Sequence, residues 1–282
     1  KMEEEERARE RDRTRVSFVR EVEVMKHISH PNITPLLSHL TTRTHHVLVL
    51  PYLPGGDLLG LVNDETTWNN LGENTLRRIF SELCKAVGWL HGVGLVHRDI
   101  KLESDSSMPP SSATKLPMPP QPLIKLTDFG LSRFIDPANP LLTTRCGSEA
   151  YAAPELVVSG GYDARETDAW ACGVVLYALV ARRLPFGEGP GETLGAGQIT
   201  GEGGLFRGFS PMERRQWLMK IARGEWHWPG IEMNSKAMMS SELRGSDLVR
   251  SVGAKRAVAR LLVRDPSRRA RIKDLWNDEW VQ

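Results

Sequence analysis

The run Ala169–Ala181 constrains the fold more than any other feature of the chain. Its 13 consecutive residues are all apolar, so as a helix it has no polar face to offer to water. It falls short of the roughly 17 to 25 apolar residues that a helix needs to cross a bilayer. Such a helix must lie at the centre of a lobe large enough to surround it. The chain has 282 residues, enough to build that core. A prior of about 150 residues per domain makes it one large domain or two lobes. Hydrophobic residues at 40% and charged residues at 26% exclude a wholly disordered or collagen-like chain.

Charge narrows the function classes. The 37 basic and 35 acidic side chains nearly cancel, which leaves no nucleic-acid or membrane-surface footprint. Cys84, Cys146 and Cys172 are too few and too scattered for a disulfide framework or a zinc cluster. A reducing compartment follows, cytoplasm or nucleus. No signal peptide opens the chain, whose first 15 residues carry six acids and six bases and read as a solvated helical face. The chain begins at Lys1 without an initiator Met, as a fragment would.

Periodicity places the main elements. Phe18, Val22 and Met25 recur at helical spacing and predict a helix over about 14–29, ended by His30-Pro31-Asn32. Val47–Leu50 reads as a strand, broken by Pro51 and Pro54-Gly55-Gly56. Leu76, Ile79, Phe80, Leu83, Val87 and Leu90 mark one face of a long helix that stops near Gly92 and Gly94. Leu123–Thr127 reads as a strand. Two stretches look inserted. Residues 105–122 hold six of the 18 prolines, and 187–208 hold nine of the 25 glycines. The glycines have no G-x-G-x-x-G register and follow a buried helix instead of a strand, so they predict a flexible connector and not a phosphate loop.

The chemistry begins at His97-Arg98-Asp99-Ile100-Lys101-Leu102-Glu103. Asp128-Phe129-Gly130 lies 29 residues after Asp99, behind a strand. Then come Cys146-Gly147-Ser148-Glu149-Ala150-Tyr151-Ala152-Ala153-Pro154-Glu155, Asp168-Ala169-Trp170 at the start of the buried helix, and Asp265-Pro266-Ser267-Arg268-Arg269 near the end. Each piece alone is weak. The ordered set resembles the eukaryotic protein-kinase domain over nearly the whole chain. Lys101, two residues after Asp99, matches the serine/threonine pattern. Cys146-Gly147-Ser148 and Leu184-Pro185-Phe186 resemble the calmodulin-dependent and energy-sensing kinase group.

The resemblance implies an α+β, two-lobed kinase fold. An incomplete small β-rich lobe would cover 1–50, a hinge 51–56, and a large helical lobe 57–282. It implies ATP and Mg2+, with protein substrates phosphorylated on Ser or Thr. Asp99 would orient the substrate hydroxyl and accept its proton, Lys101 would neutralise the γ-phosphate, and Ser148 would fix both. Asp128 would hold magnesium, a hard cation that takes oxygen ligands. Glu21 matches the helix glutamate that pairs with the ATP-binding lysine, and Lys1, 20 residues earlier, matches that lysine. Leu50 matches the gatekeeper; Pro51, Tyr52 and Leu53 match the hinge, with a carbonyl from Pro51 and an N–H from Leu53 facing adenine; Asp57 would face the ribose. Met25, Leu36, His97 and Phe129 match the hydrophobic spine. Glu155 and Arg269 would form a buried pair, and Asp168 would anchor the catalytic loop. Arg98 would clamp a phosphate on Thr144. Glu103 and Asp57 would face arginines that precede the target hydroxyl.

The match also fails in places. No Gly-rich loop precedes Lys1, which implies an N-terminal truncation, an exposed sheet edge and little activity for the chain as written. Ser104 stands where the family's metal-binding Asn belongs, and Asp105 next door is the candidate to replace it. The span from Asp99 to Asp128 exceeds the family's usual spacing, and no strand is recognisable among Ser106–Pro122. A second reading is therefore a pseudokinase that keeps the fold for binding partners and transfers little phosphate.

Overall fold

The computed structural model describes residues 2–106, 118–136, 138–158, 160–187, 210–229 and 242–282, with side chains left out for 2–11, 13, 105 and 106. The expected insert at 187–208 lies outside the described residues except for Gly187, as does the middle of the one at 105–122; so does Lys1.

Helix α1 runs from Met2 to His27, starting well before the expected residue 14. Its last turns are apolar on one side, and Val22, Val24 and Met25 are buried there. It ends ahead of His30-Pro31 because the residue before a proline avoids helical geometry. Strands β1 (Ser38–Thr41) and β2 (His46–Val49) form an antiparallel hairpin beside it, in the register Ser38↔Val49 to Thr41↔His46. Phe18 of α1 stacks on His46 of β2, with ring centroids 4.6 Å apart.

Beyond 51–57 the chain turns helical. Helix α2 (Leu58–Asn63) is capped by Asp57, α3 (Glu65–Asn69) by Asp64, and α4 spans Glu73–Gly92. The six apolar positions of α4 named above are all fully buried. After α4 the chain reverses through Gly94, whose φ of 76° suits a residue without a Cβ. Strand β3 (Leu95–Val96) pairs with β6 (Arg133–Phe134), and β4 (Asp105–Ser106) with β5 (Lys125–Leu126). Strand β4 is the element that the sequence left unrecognisable among 106–122: only two residues long, it carries no periodicity to detect. The expected strand over 123–127 shortens to β5 for the same reason.

Strand β7 (Leu141–Leu142) pairs with β8 (Tyr162–Asp163), and α5 (Pro154–Val157) lies between them in sequence. Helix α6 (Ala164–Ala181) is the apolar run, extended by one polar turn. Asp163 caps it through the Arg165 N–H, a contact of about 1 kcal/mol. Trp170 and Tyr177 are fully buried within it, and α6 packs against α4 and α8 (Val252–Leu261). Helix α7 (Pro211–Arg223) packs on α5. The fold is therefore α+β, with four separate two-stranded sheets among the described residues and a helical core around α6. Among the described residues no helix is long and apolar enough to cross a membrane.

Candidate active site

The site is built on the irregular stretch between β3 and β4. Its backbone is held from below by Asp168, in the first turns of α6. One carboxylate oxygen accepts the His97 N–H (2.9 Å) and the other the Arg98 N–H (2.8 Å). His91 of α4 adds a ring contact at 2.9 Å. Burial alone would raise the Asp168 carboxyl; the His91 bond, the nearby imidazoles and the His97 amide together hold it below the usual carboxylate range. A carboxyl depressed by folding stabilises the fold above its unfolded pKa, and that contribution is lost as the pH falls through the folded one. The tether also holds Arg98 at φ 71°, a left-handed conformation that is uncommon outside glycine.

His97 is a packing residue, as expected. It is fully buried, donates Nε2–H to the Thr127 carbonyl (3.0 Å), and meets the Phe129 ring edge to face at 5.0 Å. Burial pushes its imidazole below the usual range, so it sits neutral. Met25 and Phe129 are buried in the same core, and Leu36 packs against it.

Asp99, Lys101 and Ser148 come together. The Lys101 ammonium lies 3.0 Å from one oxygen of Asp99, and both side chains are largely buried. Ser148 donates its hydroxyl (2.8 Å) and its N–H (2.9 Å) to the other oxygen. Gly147 makes this approach possible. Its φ is 93°, and a Cβ there would stand 2.4 Å from the Arg98 carbonyl. Among the described residues the oxygen that faces Lys101 accepts only that one bond and keeps a second lone pair, so Asp99 can still accept a proton.

Ser104 is buried and donates its hydroxyl to the Asp99 carbonyl (3.1 Å). Its own carbonyl accepts both the N–H (2.8 Å) and the hydroxyl (2.9 Å) of Thr127, the residue before Asp128. Asp128 adopts φ 64°. Glu21 reaches it from α1: burial and then the Asp128 charge push its carboxyl above the usual range, and the Phe129 N–H bonds to it. Ser17 donates to the Gly130 carbonyl (3.2 Å), so α1 grips all of Asp128-Phe129-Gly130. The Asp128 carboxylate is an oxygen donor of the kind a hard cation takes. Among the described residues no group of three or more His, Cys, Asp or Glu could hold a metal unaided. Magnesium takes one or two carboxylates and completes its shell with phosphate oxygens and water; of such donors Asp128 would supply one. The Asp105 side chain lies outside the described residues.

In the stretch expected to be the hinge, Leu50 packs against the core, while Pro51 and Leu53 are half-buried. Among the described residues nothing bonds to the Pro51 carbonyl or the Leu53 N–H. Asp57 is engaged as a cap: one oxygen accepts the Gly60 N–H at 2.7 Å.

Other residues surround the cluster. Arg98 donates Nε to the Leu131 carbonyl (2.7 Å), and its buried Nη1 has no partner. The Tyr162 hydroxyl, beside Arg98, donates to the carbonyl of exposed Thr144 (2.7 Å). Glu155 and Arg269 form the expected pair, at 2.6 and 2.9 Å. Tyr151 donates to Glu103 (3.3 Å) and accepts from the Leu102 N–H (3.3 Å). Sequence reasoning missed His91, Thr127, Tyr151 and Tyr162. Each acts through hydrogen bonds to residues distant in sequence, which leave no trace in spacing. Only Tyr151 lay inside a motif that could have pointed to it.

Comparisons with known proteins agree with this geometry. A family model described as a protein kinase domain matches residues 1–281. The chain is 32% identical over 271 residues to the fatty acyl-CoA synthetase and RNA processing-associated kinase 1 of Saccharomyces cerevisiae, covering 96% of this chain and 26% of that protein. It is 31% identical over 263 residues to the CBL-interacting protein kinase 8 of Oryza sativa subsp. japonica, covering 93% and 47%. The CBL-interacting serine/threonine-protein kinase 16 of Arabidopsis thaliana is 37% identical over 176 residues, covering 59% and 34%. The chain thus spans 26% to 47% of the length of these relatives. A chain that brings Asp99, Lys101 and Ser148 together and is matched over residues 1–281 by that family model belongs to the protein kinase domain family.

Proposed function

We propose that the protein is a serine/threonine kinase that moves the γ-phosphate of ATP to hydroxyls of protein substrates. The observation that carries this reading is the Asp99 carboxylate held between the Lys101 ammonium and Ser148. Phosphoryl transfer needs alignment and neutralised charge more than covalent chemistry. Asp99 orients the incoming hydroxyl and takes its proton as the oxygen attacks. Lys101, fixed by Asp99, neutralises charge on the transferred group. Asp128 would hold magnesium with Ser104 or Asp105, and the ion would neutralise the phosphates. Pro51 and Leu53 present one acceptor and one donor to adenine, Leu50 closes the back of its pocket, and Glu21 matches the partner of Lys1. Three cysteines with no disulfide suit the cytoplasm or nucleus.

Substrate choice rests on Glu103. Tyr151 fixes this half-buried carboxylate at the edge of the cluster, where it can accept a guanidinium in two-bonded geometry. Asp57 has one oxygen engaged by its cap and contributes less. A Ser/Thr peptide library offered to the full-length protein with ATP should show enrichment of Arg two or three residues before the target. Absence of enrichment, or enrichment that survives Glu103→Gln with Asp57→Asn, contradicts this assignment.

Regulation rests on Arg98. Its guanidinium, with Nη1 unpartnered, lies beside the Tyr162 hydroxyl that holds Thr144. A phosphate on Thr144 adds about −1.5 to −2 charges and gives that guanidinium an anion to grip. Mass spectrometry of the active protein should find Thr144 phosphorylated; an active, unmodified Thr144 would remove the switch.

One observation favours the pseudokinase reading. Ser104 replaces an amide oxygen with a shorter hydroxyl that is donated to the Asp99 backbone carbonyl. Ser104→Asn should raise transfer or lower the magnesium requirement. Identical magnesium dependence in both forms would show that Ser104 is not the weak ligand.

A further inference from the structure

Glu82 of α4 lies outside the cluster described above, yet it is buried. A buried carboxylate is costly unless its oxygens are hydrogen-bonded. Here Oε2 accepts from Asn32 Nδ2 (2.9 Å), the Leu123 N–H (2.6 Å) and the Ile124 N–H (3.0 Å), while Oε1 accepts from Arg78 Nε (2.8 Å). Arg78 also donates to the Gln121 carbonyl at 2.7 Å. Two successive backbone N–H groups make a small anion-binding concavity. The protein fills it with its own carboxylate.

The segments joined are far apart in sequence: the loop after α1, the middle of α4, and the stretch that leads into β5. Asn32 strengthens the junction. Its side chain donates to the Ile124 carbonyl (3.0 Å), and its carbonyl accepts the Leu126 N–H (2.9 Å). Thr34 donates its N–H to the Leu126 carbonyl (3.0 Å). Strand β5 has only two residues, too few for its own ladder to fix where it lies. Asp128 follows Ile124 by four residues, and Thr127 between them ties to Ser104.

We infer that Glu82 is a positioning residue for the metal-binding edge of the site: its clasp on Leu123 and Ile124 sets where Asp128 and Ser104 stand relative to each other. This rests on the reading of Asp128 as the magnesium ligand. Residues that orient a ligand from behind commonly change metal affinity about 10- to 100-fold when lost.

The test uses the full-length protein with ADP and magnesium as the probe, so it does not depend on transfer. Glu82→Ala should raise the magnesium concentration for half-maximal ADP binding about 10-fold or more. It should also speed amide hydrogen exchange over 121–128. Glu82→Gln should restore both towards wild type, because its amide oxygen can take the three bonds made by Oε2 while Arg78 swings to solvent. Should Glu82→Ala fail to fold, Glu82→Asp replaces it, one methylene short of the Leu123 and Ile124 amides. An unchanged magnesium requirement in a folded Ala or Asp variant overturns the positioning role, even if exchange speeds up. A Gln variant as impaired as Ala overturns it too, since the charge and not the clasp would then matter. If wild-type protein binds ADP with no dependence on magnesium, the kinase reading fails instead. Hydrogen exchange then decides the clasp, and equal rates in wild type and Ala would overturn it.

Discussion

Asp99→Asn in the full-length protein should cut phosphoryl transfer by about a hundredfold or more, the usual loss for a positioned base. The amide keeps the shape of the side chain, and one of its atoms still accepts from Ser148 or faces Lys101. What it loses is the charge that pairs with Lys101 at 3.0 Å and the basicity that takes the substrate's proton. Nucleotide binding should hardly change, because the hinge atoms of Pro51 and Leu53 belong to another segment. Steady-state transfer measured beside nucleotide affinity separates the two effects. A variant that transfers as fast as wild type means that Asp99 is not the base.

The largest stability effect should come from Arg269→Ala. The Arg269 side chain is fully buried. It makes two bonds to Glu155, donates to the Val263 and Glu166 carbonyls (3.0 and 2.7 Å), and lies over the Trp170 ring at 5.0 Å. Removing it leaves a mostly buried Glu155 carboxylate without its counter-charge. Breaking one half of a buried pair costs about 3 to 5 kcal/mol, far more than losing a solvent-screened surface pair such as Lys26–Glu23. Glu155 carries α5, so the stretch that holds Ser148 should loosen as well. Urea unfolding should show a clearly lower midpoint for Arg269→Ala. An unchanged midpoint would show that the pair adds register and no stability.

Much of the site was legible because its residues sit in short motifs with fixed spacing. Motif residues brought together include Asp99 with Lys101 and Ser148, Glu155 with Arg269, and Asp168 with the backbone of His97 and Arg98. The long helices were legible too: α4 has an unbroken apolar face, and α6 has no polar one. Two-residue strands were not. Strand β4 and the shortened β5 exist through tertiary pairing, and Glu82 holds the entry to β5 from another helix. Asp57 shows a different limit. The sequence placed it beside the ribose and the substrate, and the structure also gives it the cap of α2. A carboxylate before a helix reads the same whether it caps or binds. Tyr162 and His91 could not be found from the sequence, since each matters only through a partner far along the chain.

The central claim is that the Asp99, Lys101 and Ser148 cluster transfers phosphate to Ser or Thr. The most direct measurement incubates the full-length protein with γ-labelled ATP, magnesium and a mixed protein substrate, then identifies the labelled amino acid. Label on phosphoserine and phosphothreonine, lost in Asp99→Asn, is the expected result. Label on phosphotyrosine, or no label from a folded protein that binds ATP, would contradict it.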